Sequence, residues 1–190
     1  ISLTTTPAGS VPEGYEPVMV FATASPDFRR VGFTAEKKGE KGVRLAVIDG
    51  EIHPEYLVVN DIMFSPDSKR VMYKATPGGD KKAKLYLDGK LIDMGSLTKN
   101  LQFTADSKSY VYVSSSNLRR TRAGYYEAPG FVFWNGKATE QFSAIAQIRI
   151  AKDSKSFAFA AAKNGQPVIV VNNKVVGRYD GLADFPSRKR

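Results

Sequence analysis

The chain has no cysteine, one histidine and one tryptophan among its 190 residues. The missing thiols exclude disulfides, thiolate metal sites and cysteine nucleophiles, but they do not choose between an oxidising and a reducing compartment. A single imidazole, His53, cannot build a histidine-rich metal site; lying in a turn just before Pro54, it reads as a surface residue. No run of about 18 apolar residues occurs, which excludes a helical membrane span. No secretory signal stands at the start. The first residue is Ile1 rather than Met, which suggests a processed or trimmed chain. Neither G-x-S-x-G nor H-E-x-x-H is present, so the serine-hydrolase elbow and the zincin helix are absent. Acidic residues are the minority, 19 against 28 basic ones, for a net charge of +9. That balance admits an acidic protein surface, an anionic polymer or nucleic acid as partner.

What is present is repetition. Ser25-Pro26-Asp27-Phe28-Arg29, Ser65-Pro66-Asp67-Ser68-Lys69, Thr104-Ala105-Asp106-Ser107-Lys108 and Ala151-Lys152-Asp153-Ser154-Lys155 align on their aspartates, at steps of 40, 39 and 47 residues. Periods near 40 belong to propeller blades and to some helical repeats. Strand chemistry decides between them. Each turn is followed by an alternating pair: Val31/Phe33, Val71/Tyr73, Tyr110/Tyr112 and Phe157/Phe159. Alternation rich in aromatics and valine marks strands. The residues between (Gly32, Met72, Val111, Ala158) are uncharged, so both faces are expected to be covered.

A second landmark follows in every unit: Asp49-Gly50, Asp88-Gly89, Asn135-Gly136 and Asn172-Asn173. Such pairs tolerate positive φ at both central positions and close two-residue hairpins. Apolar runs precede them, Leu45–Ile48, Leu85–Leu87, Phe131–Trp134 and Val168–Val171, as expected of strands sandwiched between layers. Trp134 is expected in the core. A β-sandwich of unrelated hairpins is the alternative, since it too spaces strands regularly.

With both landmarks in place, the units resemble the WD-like repeats of TolB-type β-propellers, whose blade reads F-S-P-D-G-K, a hydrophobic-aromatic strand, a loop, a second strand and D-G. Phe64–Lys69 matches best, with Ser68 where that family usually has glycine. Phe103–Lys108 follows; the first unit departs at Phe28 and the fourth around Lys152. The resemblance covers residues 17 to 185 approximately. It implies an all-β propeller or propeller fragment of four four-stranded blades, at about 17–56, 57–95, 96–142 and 143–179. Residues 1–16 form a leader or closing strand, and 180–190 open a further strand.

The distance from first to second landmark is 22, 21 and 19 residues in three units and 29 in the third. The extra length falls in 114–130, which carries Arg119, Arg120, Arg122, Tyr125 and Tyr126. Arginine and tyrosine are the types enriched at binding hot spots, and guanidinium forks suit carboxylates and phosphates. These five are the candidate binding residues; a longer loop without a role is the alternative. By contrast Arg29, Arg30, Lys69, Arg70, Lys108 and Lys155 recur at one place in the repeat and read as solvated turn exits. The loop at 76–82, Thr-Pro-Gly-Gly-Asp-Lys-Lys, lacks the spacing of a phosphate cradle.

The reading is a non-catalytic interaction or scaffold module in an extracytoplasmic assembly, periplasmic or secreted, with a cytoplasmic setting kept open. The expected partner is a protein with an acidic surface or an anionic polymer, with self-association through open blade edges in addition. No catalytic residue, cofactor or metal is assigned, and nucleic-acid binding ranks below the protein readings. A carbohydrate-binding or glycan-processing propeller is the alternative, with Tyr125, Tyr126 and Trp134 as stacking platforms. A catalytic domain elsewhere in a longer parent chain is a further alternative.

Overall fold

In the computed structural model the described residues are 11–53, 56–78, 83–94, 97–115, 119–120, 126–127 and 129–180, and they contain strands and no helix. They fall into two units, Ile1–Met94 and Gly95–Arg190. The first unit holds β1 (Tyr15–Ala24), β2 (Val31–Lys37), β3 (Arg44–Ile48) and β4 (Glu51–Ile52), then β5 (Tyr56–Phe64), β6 (Val71–Pro77), β7 (Lys84–Leu87) and β8 (Lys90–Asp93). Each set of four is an antiparallel meander, and the pair Arg44 and Tyr56 links the two sheets at one point. β1 includes Tyr15 and Glu16, counted with the leader on sequence grounds.

The second unit repeats the plan with one interruption. β9 (Leu97–Phe103) and β10 (Tyr110–Ser115) are followed by a separate hairpin, β11 (Arg119–Arg120) and β12 (Tyr126–Glu127). The sheet then resumes with β13 (Gly130–Trp134) and β14 (Lys137–Ala138). β15 (Ala144–Ile150), β16 (Phe157–Lys163), β17 (Gln166–Val171) and β18 (Lys174–Arg178) form the last meander. These are four blades of four strands, as the repeat implied.

The two landmarks are built by the same bonds in every blade. At the first, the aspartate accepts the N–H two residues on: Arg29 and Lys69 at 3.1 Å, Lys108 at 3.1 Å, Lys155 at 2.9 Å. The residue after the aspartate is left-handed: Phe28, Ser68, Ser107 and Ser154 have φ of 57°, 64°, 61° and 61°. Glycine is the usual residue there because it alone adopts this region without cost. Serine is used instead because its hydroxyl does work between blades. Ser68 Oγ accepts the Asp27 N–H at 3.1 Å, and Ser154 Oγ accepts the Asp106 N–H at 3.1 Å. The hydroxyl thus staples each of these blades to the one before it.

At the second landmark, Asp49, Asp88, Asn135 and Asn172 are all left-handed. Their side-chain oxygens accept the N–H of the first residue of the blade's second strand: Val31 (3.2 Å), Val71 (2.8 Å), Tyr110 (2.9 Å) and Phe157 (3.0 Å). Their own N–H groups return to the same residues' carbonyls. One Asx side chain therefore closes its hairpin and pairs a donor that the sheet would leave open.

Within each unit, blade packs on blade. Ala46, Ile48, Val59, Phe64, Val71, Tyr73 and Ala75 are buried together in the first. A Cβ on Gly32 would lie 2.9 Å from Ile62 Cγ2, so the sheets approach closely there. In the second unit Val111, Val113 and Val132 pack on Phe142, Ile145, Ile148, Phe157 and Phe159. Coverage of both faces holds at Val71–Tyr73 and Val111–Val113, all buried. It fails in β16, where Phe157, Phe159 and Ala161 are buried but Ala158 and Ala160 are partly exposed. Alanine has little apolar area, so leaving that face half-wet costs little. Trp134 packs against the core and stacks on Phe157 at 4.8 Å, though it stays partly exposed.

Candidate functional site

The inserted hairpin of the third blade is held by a rigid base. β10 ends in the buried pair Ser114 and Ser115, and β13 begins at buried Gly130, which pairs with Ser115. Gly130 also exchanges two backbone bonds with Phe142, each 3.0 Å. A Cβ on Gly130 would sit 2.7 Å from the Ser114 carbonyl oxygen and 2.8 Å from Ser115 Cβ. Only glycine lets the chain return so close to its own departure. The insert consequently leaves and re-enters the blade through one fixed doorway.

Beyond that base, Arg119 pairs with Glu127 and Arg120 with Tyr126 across the short hairpin. Arg122 and Tyr125 lie outside the described residues. Of the five candidates, the hairpin register therefore relates three, Arg119, Arg120 and Tyr126.

The basic turn exits divide into two kinds. Arg30 donates to Asp49 at 2.6 Å and to the Ser68 carbonyl at 3.0 Å, and its guanidinium lies 5.0 Å from the Phe64 ring centre. Arg70 donates to Asp88 at 3.3 Å. These two are structural, contrary to the reading of solvated turn exits, because the capping aspartate lies beside them. Arg29, Lys69, Lys108 and Lys155 are exposed, as read.

A cluster invisible in the sequence surrounds the only histidine. His53 is half-buried, with its ring 5.5 Å from that of Tyr73; Tyr73 stacks on Tyr86 at 5.2 Å, and Tyr86 lies 5.7 Å from Tyr56. The Tyr73 hydroxyl is 3.5 Å from His53 Nδ1. Burial pushes the Tyr56 and Tyr73 phenols up and the His53 imidazole down, so all three are held neutral. Residues from 53 to 86 meet here because the hairpin of one blade leads into the next, a proximity no local pattern signals. Among the described residues, no three His, Asp or Glu side chains group to hold a metal ion, and no helix is long and apolar enough to cross a membrane.

No protein-family model and no curated protein matches the chain. Solved structures do. The β-propeller domain of the trilobed protease from Pyrococcus furiosus is 13% identical over 90% of this chain and 58% of that one, with a TM-score of 0.54. TolB from Acinetobacter baumannii is 20% identical over 83% and 43%, at 0.43. Acylaminoacyl peptidase from Pyrococcus horikoshii is 13% identical over 84% and 32%, at 0.49. The chain thus spans between a third and three-fifths of their lengths. At such identities the likeness shows the fold alone, and that fold is the β-propeller.

Proposed function

We propose that the chain is a non-catalytic interaction module of propeller type, with the inserted hairpin of its third blade as the contact surface. The observation that carries this is the hairpin itself. Four blades repeat one turn chemistry, and one of them has added a separate two-stranded sheet on a glycine-pinned base. Insertions in repeat proteins map to loops on a binding face. Its arginines, Arg119, Arg120 and Arg122, supply charge-assisted donors for carboxylates, and Tyr125 and Tyr126 supply rigid contact area. The partner is a protein with an acidic surface, in an extracytoplasmic assembly, which agrees with the TolB-type repeat.

Titration with poly-L-glutamate at low and high salt tests the site. Arg119/Arg120/Arg122→Ala weakens binding by about tenfold or more, since hot-spot truncations cost about 1–2 kcal/mol or more each. Equal binding by wild type and the triple variant removes the hairpin from the account. One of the similar solved propellers is a domain of a protease, so a parent chain with a catalytic domain is the alternative setting; the intact mass of the natural product decides it.

A further inference from the structure

We infer that Asn164, in the turn between β16 and β17, is a site of spontaneous covalent change, losing its amide to become aspartate or isoaspartate, while the same dipeptide in the third blade is shielded by its hairpin cap. The inference is independent of the inserted hairpin's role. It rests on two Asn-Gly pairs that differ in one respect. Asn135-Gly136 joins β13 to β14, and Asn164-Gly165 joins β16 to β17. Both are two-residue turns of the kind this dipeptide favours, with φ of 48° and 79° in the first and 54° and 75° in the second. All four residues are exposed. Dipeptide, backbone and access to water are thus matched.

The side chains are not. Asn135 Oδ1 accepts the Tyr110 N–H, and its Nδ2 donates to Ser109 Oγ, each at 2.9 Å. A Cβ on Gly136 would lie 3.6 Å from the Tyr110 hydroxyl, so that side chain covers one side of the turn. Asn172 is tied in the same way, to Phe157 and Ser156. Asn164 belongs to neither landmark of the repeat, and among the described residues no bond holds its amide. Lys163 beside it is engaged by Glu140 at 2.5 Å instead.

The chemistry needs an untied amide next to an open backbone nitrogen. Hydroxide takes the proton of the Gly165 N–H, and the nitrogen attacks Asn164 Cγ. A C–N bond forms, the Cγ–Nδ2 bond breaks, and the amide leaves as ammonia with a proton from water. The product is a five-membered cyclic imide, which water opens at either carbonyl. The net change is one water gained and one ammonia lost, with nothing oxidised. Glycine favours the attack because no side chain crowds its nitrogen. At Asn135 the same attack requires Cγ to leave both of its amide's partners, which slows it.

The two products act differently on the fourth blade. Opening at Cγ gives aspartate, which the repeat already holds left-handed at Asp49 and Asp88; the hairpin stays, with one more negative charge beside Lys163. Opening at the backbone carbonyl adds a carbon to the main chain of the turn and misaligns the pair Lys163 and Gln166.

Peptide mapping by mass spectrometry tests this, on the purified 190-residue chain kept folded in mildly alkaline heavy-oxygen water and sampled over weeks. Asn164 takes up the label about tenfold or more faster than Asn135 and Asn172, the rate equivalent of two modest hydrogen bonds. In urea the two Asn-Gly pairs react alike. Ser109→Ala, which removes one of the two bonds, speeds Asn135 and leaves Asn164 unchanged. Equal rates at the two pairs in the folded chain overturn the inference, as does an Asn164 that stays intact while the urea-treated chain is converted. Should Ser109→Ala not fold, the comparison of folded and urea-treated wild type decides the matter alone.

Discussion

The first two blades and the last two solve one problem with different side chains. In the first unit the hairpin Asx is aspartate, and the residue three after the turn aspartate is arginine: Asp49 with Arg30, Asp88 with Arg70. In the second unit the hairpin Asx is asparagine and the partner is serine: Asn135 Nδ2 donates to Ser109 at 2.9 Å and Asn172 Nδ2 to Ser156 at 3.1 Å. The backbone cap is the same in all four. Geometry is therefore carried by the Asx oxygen, and the second partner is exchangeable as a pair. A charged pair and a neutral pair hold one hairpin, differing in how each responds to salt and in what else the longer side chain can reach. Arg30 spans to the Ser68 carbonyl and the Phe64 ring of the next blade, which serine cannot.

The sharpest break between the units concerns their close approaches. Gly32 is opposed by the end of the Ile62 side chain, whereas Gly130 is opposed by the backbone of Ser114 and Ser115. A side chain can turn aside and a strand cannot. Gly130→Ala should cost about 3 kcal/mol and Gly32→Ala about 1 kcal/mol, read from urea midpoints; equal costs would falsify the distinction.

Next comes the turn hydroxyl within the second unit. Thr104 Oγ1 accepts the Ser109 N–H at 3.0 Å while donating to Asp106, and Ala151 does neither. Thr104→Ala should lose about 2 kcal/mol, and Ala151→Ser should gain about 0.5–1 kcal/mol. Thermal unfolding of the two variants side by side checks the opposite signs.

A smaller effect tests the exchange of pairs. Arg30→Ser with Asp49→Asn converts the first blade to the second unit's chemistry. The double variant should keep the hairpin and lose about 1.5 kcal/mol, most of it the Arg30 bond to the Ser68 carbonyl rather than the surface ion pair, and its stability should respond less to added salt. A hairpin that melts, seen as lost hydrogen-exchange protection at Asp49 and His53, would show that charge rather than the Asx cap holds it.

The smallest effect is pH-dependent and belongs to the first unit alone. His53 is held below its ordinary pKa by burial. The unfolded chain therefore takes up the proton first as pH falls, and the fold loses stability below about pH 6.5. Acidification from pH 7.5 to 5.5 should lower the midpoint for wild type and do so less for His53→Gln. Identical pH profiles would show that burial does not hold the His53 imidazole neutral. Asp27 and Asp106, held below the usual carboxylate range by their Ser25 and Thr104 hydroxyls, lose their contribution only at more acid pH.

Much of this architecture was legible because its signals are local. Asp67 and Asp88-Gly89 each announce a turn from their own chemistry, and their recurrence in fixed order announces blades. What escaped reading joins distant positions. The bond from Asp49 to Val31 spans 18 residues, that from Asp27 to Ser68 spans 41, and that from Asp106 to Ser154 spans 48. Arg30 looked like a solvated charge because nothing in its neighbourhood in the chain shows Asp49 folding back beside it. His53 looked like a surface residue because Tyr73 and Tyr86 arrive from the next blade.

Turn type, strand alternation and the four-fold repeat of the meander follow from residues within a few positions of one another, since φ preference and side-chain alternation are properties of short stretches. Which turn residue staples which blade, which glycine is irreplaceable and which imidazole is shielded depended on sheets packing face to face. Packing brings together groups that the chain separates by dozens of residues, and only then do hydroxyl, ring and carboxylate acquire their roles.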